Sequence, residues 1–315
     1  MSGIPISRAK VLALAAAGAF VARPRSSRAQ AAPIRLACYT TDAYAQPFYA
    51  NELGYFTRAG LNVDVTILAN AAANAQMVAA NAIDVCLADP IQIAHPVNAG
   101  VPLTFFAGGS LYASAHPTTV LVAATDSTVR TAKDFEGQTL AVIGLASISS
   151  LAVREWLRKN GANVELVKLI ELPFASMAAA LQRGTIAGAF LAEPFLSGAT
   201  GSVRVLASAY DAIAKSFAIA SFFATRDWIL KNRDTARKLA GVIYDTARWA
   251  NAHQSESAAI LSKYSKIDVD RVRSMTRVTY ATSLDARQLQ PVLDVALEYK
   301  QLEHRIDAND IILRP

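Results

Sequence analysis

Short apolar runs alternate along this chain with stretches whose apolar residues recur every three or four positions. Residues 34–39 (IRLACY) predict a first strand, and the polar turn Thr40-Thr41-Asp42 leads into a helix that runs to about residue 52. Gly60 is placed to stop that region, and residues 61–68 alternate like a strand. An Ala-rich helix over 70–81 and a strand over 83–88 follow, then a helix opened by Asp89-Pro90 and closed by Gly100. Residues 103–107 predict a fourth strand ending at Gly108-Gly109-Ser110. Residues 118–124 (TTVLVAA) read as a strand crossing into a new unit. There, strands at 139–143, 164–169, 187–192 and 203–207 alternate with helices at about 149–159 and 176–183. Residues 217–225 could carry the chain back. From Asp227 the pattern is helical, and residues 288–303 form a last amphipathic helix.

One unit occurs twice. Residues 77–90 read MVAANAIDVCLADP and residues 181–194 read LQRGTIAGAFLAEP. In each, a helix feeds a short apolar strand that ends in an acid and a Pro. Pro suits the first helical position, and an acid before it can satisfy free N–H groups. Ligands of open α/β sheets bind beyond the carboxyl ends of the strands. Two such units therefore predict two α/β lobes, each a mainly parallel sheet flanked by helices, that can hold a ligand between them. The expected division is a discontinuous first lobe, residues 32–112 with 218–315, and a second lobe, residues 113–217.

The 315 residues suffice for two domains, and 53% hydrophobic with 18% charged residues excludes a disordered chain. The net charge of +6 is concentrated at the start: residues 1–31 hold Arg8, Lys10, Arg23, Arg25 and Arg28 and no acid, leaving 26 bases against 25 acids. Nothing resembles a basic stripe interleaved with aromatics, so no nucleic-acid partner is expected. Arg8 and Lys10 precede an apolar run over 11–22, and Ala29-Gln30-Ala31 fits a small-residue cleavage site. Residues 1–31 thus read as an export signal cleaved near Ala31. Cys38 and Cys86 are the only cysteines, each near a predicted strand end. Neighbouring parallel strands rarely offer disulfide geometry, so buried free thiols are expected.

Several segments, in order and spacing, resemble the nitrate/sulfonate/taurine family of periplasmic solute-binding proteins. They are Glu52-Leu53-Gly54-Tyr55-Phe56 with Gly60-Leu61 and Val63; Lys133-Asp134-Phe135-Glu136-Gly137-Gln138; Ala180-Leu181-Gln182-Arg183-Gly184 with Glu193-Pro194-Phe195; and Asp227-Trp228. The likeness implies a two-lobed periplasmic-binding-protein fold of type II with two crossing strands. It also implies a monomer that binds a small molecule in the cleft and passes it to an ABC permease in the inner membrane. The chain departs from the family at Ala192, where many relatives have Trp, and at Gly184-Thr185-Ile186-Ala187, where many have an acid on either side of the Ile.

Candidate site residues sit at strand ends and helix starts: Tyr39, Thr40, Asp42, Gln46, Asp89 and Ser110 in the first lobe, and Ser147, Ser149 and Glu193 in the second. Ser147 and Ser149 begin a helix, where free N–H groups and hydroxyls can hold an anion, or one Ser can cap its own helix. Asp89 can cap or face a solute. Glu is a poorer cap than Asp, which favours a ligand role for Glu193. Tyr39 can stack on a ligand or pack in the core. No Arg or Lys lies at these strand ends, so a bare anion would meet uncompensated carboxylates. An amine-bearing solute such as taurine fits, with sulfonate on the Ser147/Ser149 helix start; the alternatives are a thiamine pyrimidine or other heteroaromatic precursor, or a ligand-binding protein that feeds a membrane sensor. His95, His116, His253 and His304 lack metal-ligand spacing, and no G-x-S-x-G, P-loop or full G-x-G-x-x-G is present. The expectation is a binding protein without catalytic activity, metal or cofactor.

Overall fold

The computed structural model describes residues 32–68 and 74–315. The predicted leader and the first turn of the predicted helix at 70–81 lie outside the described residues. The chain begins with β1 (Ile34–Cys38), a single 3-10 turn at Asp42–Tyr44, α1 (Gln46–Glu52), α2 (Tyr55–Arg58) and β2 (Val63–Ile67). Next come α3 (Asn74–Ala79), β3 (Val85–Ala88), α4 (Pro90–Asn98) and the long β4 (Leu103–Ala113). The middle of the chain forms β5 (Thr119–Ala124), β6 (Thr139–Val142), α5 (Ile148–Lys159), β7 (Lys168–Glu171), α6 (Phe174–Gln182), β8 (Gly188–Ala192), α7 (Phe195–Gly198) and β9 (Val203–Ala207). The long β10 (Ser216–Thr225) returns, followed by α8 (Arg226–Lys231), α9 (Arg233–Ala252), α10 (Gln254–Ser265), α11 (Val269–Ser274), β11 (Thr279–Tyr280) and α12 (Ala286–Glu298).

Two sheets result. The first has the order β11-β4-β10-β3-β1-β2 and the second β7-β6-β8-β5-β9. β1 pairs in parallel with β2 and β3, and β6 with β7 and β8. β10 runs antiparallel to β3 and β4, β11 to β4, and β5 to β8 and β9. Each sheet is mixed but mainly parallel, as expected: β10 and β11 run against the rest of the first sheet, and β5 against the rest of the second. For β10 the reason is the route of the chain: β4 leaves the first sheet for the second, and β10 comes back beside it in the opposite direction. Apolar strands that are buried on both faces fill the centres, as in VCLA of β3 and GAFLA of β8.

The expected end of β4 at Gly108-Gly109 is overturned. A Cβ on Gly109 would lie 2.6 Å from the Ala220 carbonyl oxygen and 2.7 Å from Leu87 Cδ1. Glycine there serves the close approach of β10, not a chain break. The strand expected over 164–169 is instead a 3-10 turn at Val164–Leu166, held by an Asn163 side chain that accepts from Glu165 N (3.1 Å), and then β7. Where the chain crosses between sheets, the rings of Tyr112, Tyr210 and Phe217 meet at centroid distances of 5.0–5.3 Å. Cys38 and Cys86 are buried free thiols, and burial raises both well above the ordinary thiol range.

Candidate functional site

The loop after β1 carries Tyr39, Thr40, Thr41 and the Asp42–Tyr44 turn toward the second sheet. The Asp42 N–H donates to the carbonyl oxygen of Glu193 (3.0 Å), which ends β8. The Asp42 carboxylate is almost wholly buried and fully engaged. Its Oδ1 accepts from Arg277 Nε (3.0 Å), Arg277 Nη2 (2.8 Å) and the Tyr280 hydroxyl (3.2 Å), and its Oδ2 from Val278 N (2.7 Å). The same Arg277 Nη2 donates to the Tyr49 hydroxyl (2.9 Å). Asp42 thus anchors the turn and offers a solute little. The expectation that no base approaches these strand ends is corrected: Arg277 arrives from beyond α11 and neutralises Asp42. Thr40 stays partly exposed on the same loop.

At the end of β3, Asp89 caps α4. Its Oδ1 accepts from Ile91 N (2.9 Å) and Gln92 N (3.2 Å), and its Oδ2 from Gln92 Nε2 (2.8 Å). Gln92 Oε1 in turn accepts from Asn74 Nδ2 (2.6 Å), which also donates to the Tyr39 hydroxyl. A buried polar chain therefore runs from Asp89 to Tyr39, and the Tyr39 ring packs edge-on against Tyr44 at 4.8 Å. Burial pushes Asp89 up to about 7, although backbone N–H groups and the Gln92 side chain lower it.

The second sheet presents the start of α5 and the end of β8. Ser147 occupies the N-cap position, but its hydroxyl donates to the Gly144 carbonyl (2.6 Å) and not to the helix. Ser149 is buried and lowers the otherwise burial-raised Tyr210 hydroxyl, whose ring stands edge-on to Phe190 at 4.8 Å. The Ser147 hydroxyl is thus occupied by a protein partner. Glu193 is buried and receives two donors from one residue: Ser197 N to Oε2 (3.0 Å) and Ser197 Oγ to Oε1 (2.9 Å). Glu193 is not the N-cap of α7, which is Pro194; its longer side chain reaches Ser197 from one residue before the cap. Burial pushes the Glu193 carboxyl up to about 7, with Asp42 raising it and Arg277 lowering it. Two hydrogen bonds leave lone pairs free on each of its oxygens.

Between the sheets opens a cavity of about 460 Å³. Ala75, Gln92, His95 and Pro96 line it from the first sheet, and Gly144, Ala146 and Glu171 from the second. Two of the sequence-predicted residues, Gln46 at the first position of α1 and Ser110 on β4, are buried side chains with no hydrogen-bond partner; for Gln46 this holds for both amide atoms. An unpaired amide in a dry interior costs about 1–3 kcal/mol by mutational measure. Gln46→Met should therefore leave the unliganded protein equally stable or more stable by up to about 2 kcal/mol. If Gln46 reads the ligand, the same variant loses binding about tenfold or more. Thermal unfolding and calorimetry check the two effects separately, and a large loss of stability would show the amide to be paired.

Sequence reasoning missed Asn74, Gln92, Tyr210 and Arg277. Gln92 alone carried a local signal, since a donor at the third position after an Asp cap can reach back to it. Among the described residues no group of His, Cys, Asp and Glu could hold a metal ion, and no helix is long and apolar enough to cross a membrane.

Residues 43–257 match the sequence model of the family described as NMT1/THI5 like. No curated protein matches the chain. Among solved structures, the periplasmic aliphatic sulphonate binding protein SsuA from Escherichia coli is 18% identical, covering 90% of this chain and 92% of that one, with a TM-score of 0.71. The periplasmic nitrate-binding protein NrtA from Synechocystis PCC 6803 is 15% identical over 89% of this chain and 84% of its own, TM-score 0.72. The desulfurization enzyme DSZB is 12% identical over 90% and 96%, TM-score 0.67. At these identities the likeness is one of fold, and that fold serves binders and an enzyme alike. Matched over more than half its length, the chain belongs to the NMT1/THI5-like family and has the fold of the periplasmic binding proteins.

Proposed function

We propose that the protein is the periplasmic solute-binding component of an ABC importer. It acts as a monomer that captures a small organic solute between its two sheets and delivers it to a permease in the inner membrane. In this reading residues 1–31 are an export signal removed near Ala31. Residues 32–112 with 218–315 act as one lobe and residues 113–217 as the other. Two neighbours of the fold, by their names, bind sulphonate and nitrate in the periplasm, which supports the role. The observation that carries the reading is that strand ends of the two sheets meet, the Asp42 N–H donating to the Glu193 carbonyl oxygen, and that both sheets line a cavity. Glu193 keeps lone pairs to spare, and the Gln46 amide and Ser110 hydroxyl lack protein partners. Tyr39, Asp42, Asp89, Ser147 and Ser149 frame this site by holding its walls, with Thr40 at its rim. An amine or N–H group of the solute meets Glu193.

A second reading, a neutral heteroaromatic such as a thiamine pyrimidine, is favoured by Gln46. A free donor beside a free acceptor matches a ring nitrogen next to an amino group. A thermal-shift screen of the mature protein against taurine, other sulfonates, nitrate, pyrimidines and aromatic acids tests both. A true ligand at a hundred times its dissociation constant adds about 2.7 kcal/mol of stability. No shift with any solute class, or turnover of a bound solute by the purified protein, overturns the proposal.

A further inference from the structure

A second cavity, of about 270 Å³, lies on the first sheet where its two longest strands, β4 and β10, run side by side. The segment 279–285 and the first turn of α12 complete its walls, and it shares no lining residue with the cavity between the sheets. In a regular strand, neighbouring side chains point to opposite faces. Here Gly108 with Gly109, and Ala220 with Ser221, border the cavity as adjacent pairs. The register of the two strands shifts at this place: Ala220 stands opposite Ser110, but Ser221 stands opposite Gly108. Such a bulge re-aims a side chain, and here it brings Ser221 to the same cavity as Ala220. Glycine is needed across from it, because a Cβ on Gly108 would lie 2.3 Å from the Ser283 carbonyl oxygen. Ser221 is 1% exposed, and its hydroxyl has no hydrogen-bond partner among the described residues. A buried hydroxyl left unpaired is costly, so this one calls for a partner from outside the chain.

The rest of the lining offers no free charge. Asp285 is the charged residue among the described ones that line the cavity, and both its oxygens accept from Arg287 (2.6–3.1 Å). The Asn251 amide is committed to Tyr280, accepting from its N–H and donating to its carbonyl oxygen (both 2.9 Å). Gln288 accepts from Ser216 Oγ through its Oε1 (3.4 Å), and its Nε2 has no partner among the described residues. Thr279, Thr282 and Ser283 add exposed hydroxyls, and Leu111 and Leu284 add apolar surface. An anion would find no cation here, and a cation would find an acid that is already paired. We infer that this cavity is a second ligand site, for a small neutral polyhydroxy compound such as a sugar or sugar alcohol. The Ser221 hydroxyl, which can donate and accept, meets one hydroxyl of the ligand, and Gln288 Nε2 donates to another. Leu111 and Leu284 face its C–H groups. A volume just under the usual range of ligand clefts, about 300–1,000 Å³, keeps the ligand small. The site stands apart from the cleft and does not depend on which solute the cleft takes.

Calorimetry on the mature protein tests this, with glycerol, xylitol and glucose as probes at millimolar concentrations, well below those at which polyols stabilise proteins in general. Two variants accompany wild type, each first shown by thermal unfolding to be folded. Ser221→Ala removes the unpaired hydroxyl, and Thr282→Trp sets a large ring on the exposed side of the cavity. Wild type should give saturable heat with at least one probe, and each variant should bind that probe about tenfold more weakly or worse. Without a probe, Ser221→Ala should melt no lower than wild type, since it deletes a group that has no partner. The absence of saturable heat with all three probes overturns the inference. So does an affinity unchanged in either variant, which puts the polyol elsewhere, or a Ser221→Ala that melts well below wild type, which shows the hydroxyl to be paired already. Neither Ser221 nor Thr282 lines the cavity between the sheets, so each of these outcomes leaves the solute-binding reading where it stands.

Discussion

Arg277→Met should cost the protein about 3–5 kcal/mol of stability, because it strands a buried carboxylate. The side chains of Arg277 and Asp42 are 5% and 1% exposed, and their closest approach is 2.8 Å. With the guanidinium gone, Asp42 keeps donors from Val278 N and the Tyr280 hydroxyl but no opposite charge. The Tyr49 hydroxyl and the Gln254 carbonyl oxygen, which accepts from Arg277 Nη1 (2.8 Å), each lose a donor as well. For a chain of this size each kcal/mol shifts the melting temperature by about 2–4 °C, so a loss on the order of 10 °C is expected. Adding Asp42→Asn to Arg277→Met should restore a large part of it, since the pair is costly to break and much cheaper to replace. If the single variant melts within about 2 °C of wild type, water reaches Asp42 and the pair is not the anchor of the turn. The site feels this pair too. The Asp42 turn is bonded to the end of β8 through its N–H, so loosening it releases a tie between the sheets.

What could be read from the sequence was what is local. The two helix–strand–acid–Pro units stand in the structure as α3–β3–α4 and α6–β8–α7, since apolar runs, turn glycines and a Pro at a helix start act over a few residues. Asp89 capping α4 lies within the same range. The place of β10 did not, because it depends on the route of the crossings; β10 wedges antiparallel between β3 and β4, and no property of its ten residues announces it. The Arg277–Asp42 pair joins positions 235 residues apart, and nothing in either neighbourhood points to the other. The Asn74–Gln92–Asp89 chain is intermediate: its members are close in sequence, but the fold of α3 against α4 decides that they meet. The Glu193 contact with Ser197, four residues on, is local too, yet it was not anticipated, because it is made from before the cap position.

Glu193→Gln should weaken binding of an amine-bearing solute by roughly ten- to a hundredfold, and it should abolish the pH dependence of that binding. A charge-assisted hydrogen bond from an ammonium group contributes about 1.5–3 kcal/mol, and only the ionised carboxylate provides it. Burial holds the Glu193 proton on up to about 7. Below that value the site is neutral, and wild-type affinity should fall by about tenfold per pH unit. Unliganded stability should move in the opposite sense. The folded carboxyl, near 7, keeps a proton that the unfolded one, near its ordinary 4.5, has already lost. The native state therefore binds more protons across that window, and stability declines as pH rises from about 4.5 to about 7, then levels off. Asp89, pushed from 3.8 up to about 7, acts in the same direction. Each tenfold difference in proton affinity between the folded and unfolded chain is worth about 1.4 kcal/mol, so the two acids together make the protein more stable at about pH 5 than at about pH 8 by a few kcal/mol. Glu193→Gln should remove part of that slope and leave the share due to Asp89. Calorimetry and thermal unfolding of both proteins across this range separate the possibilities. Unchanged affinity in the variant at about pH 8, with stability lost at every pH, would make Glu193 only a tether to Ser197, and the amine would lose its partner.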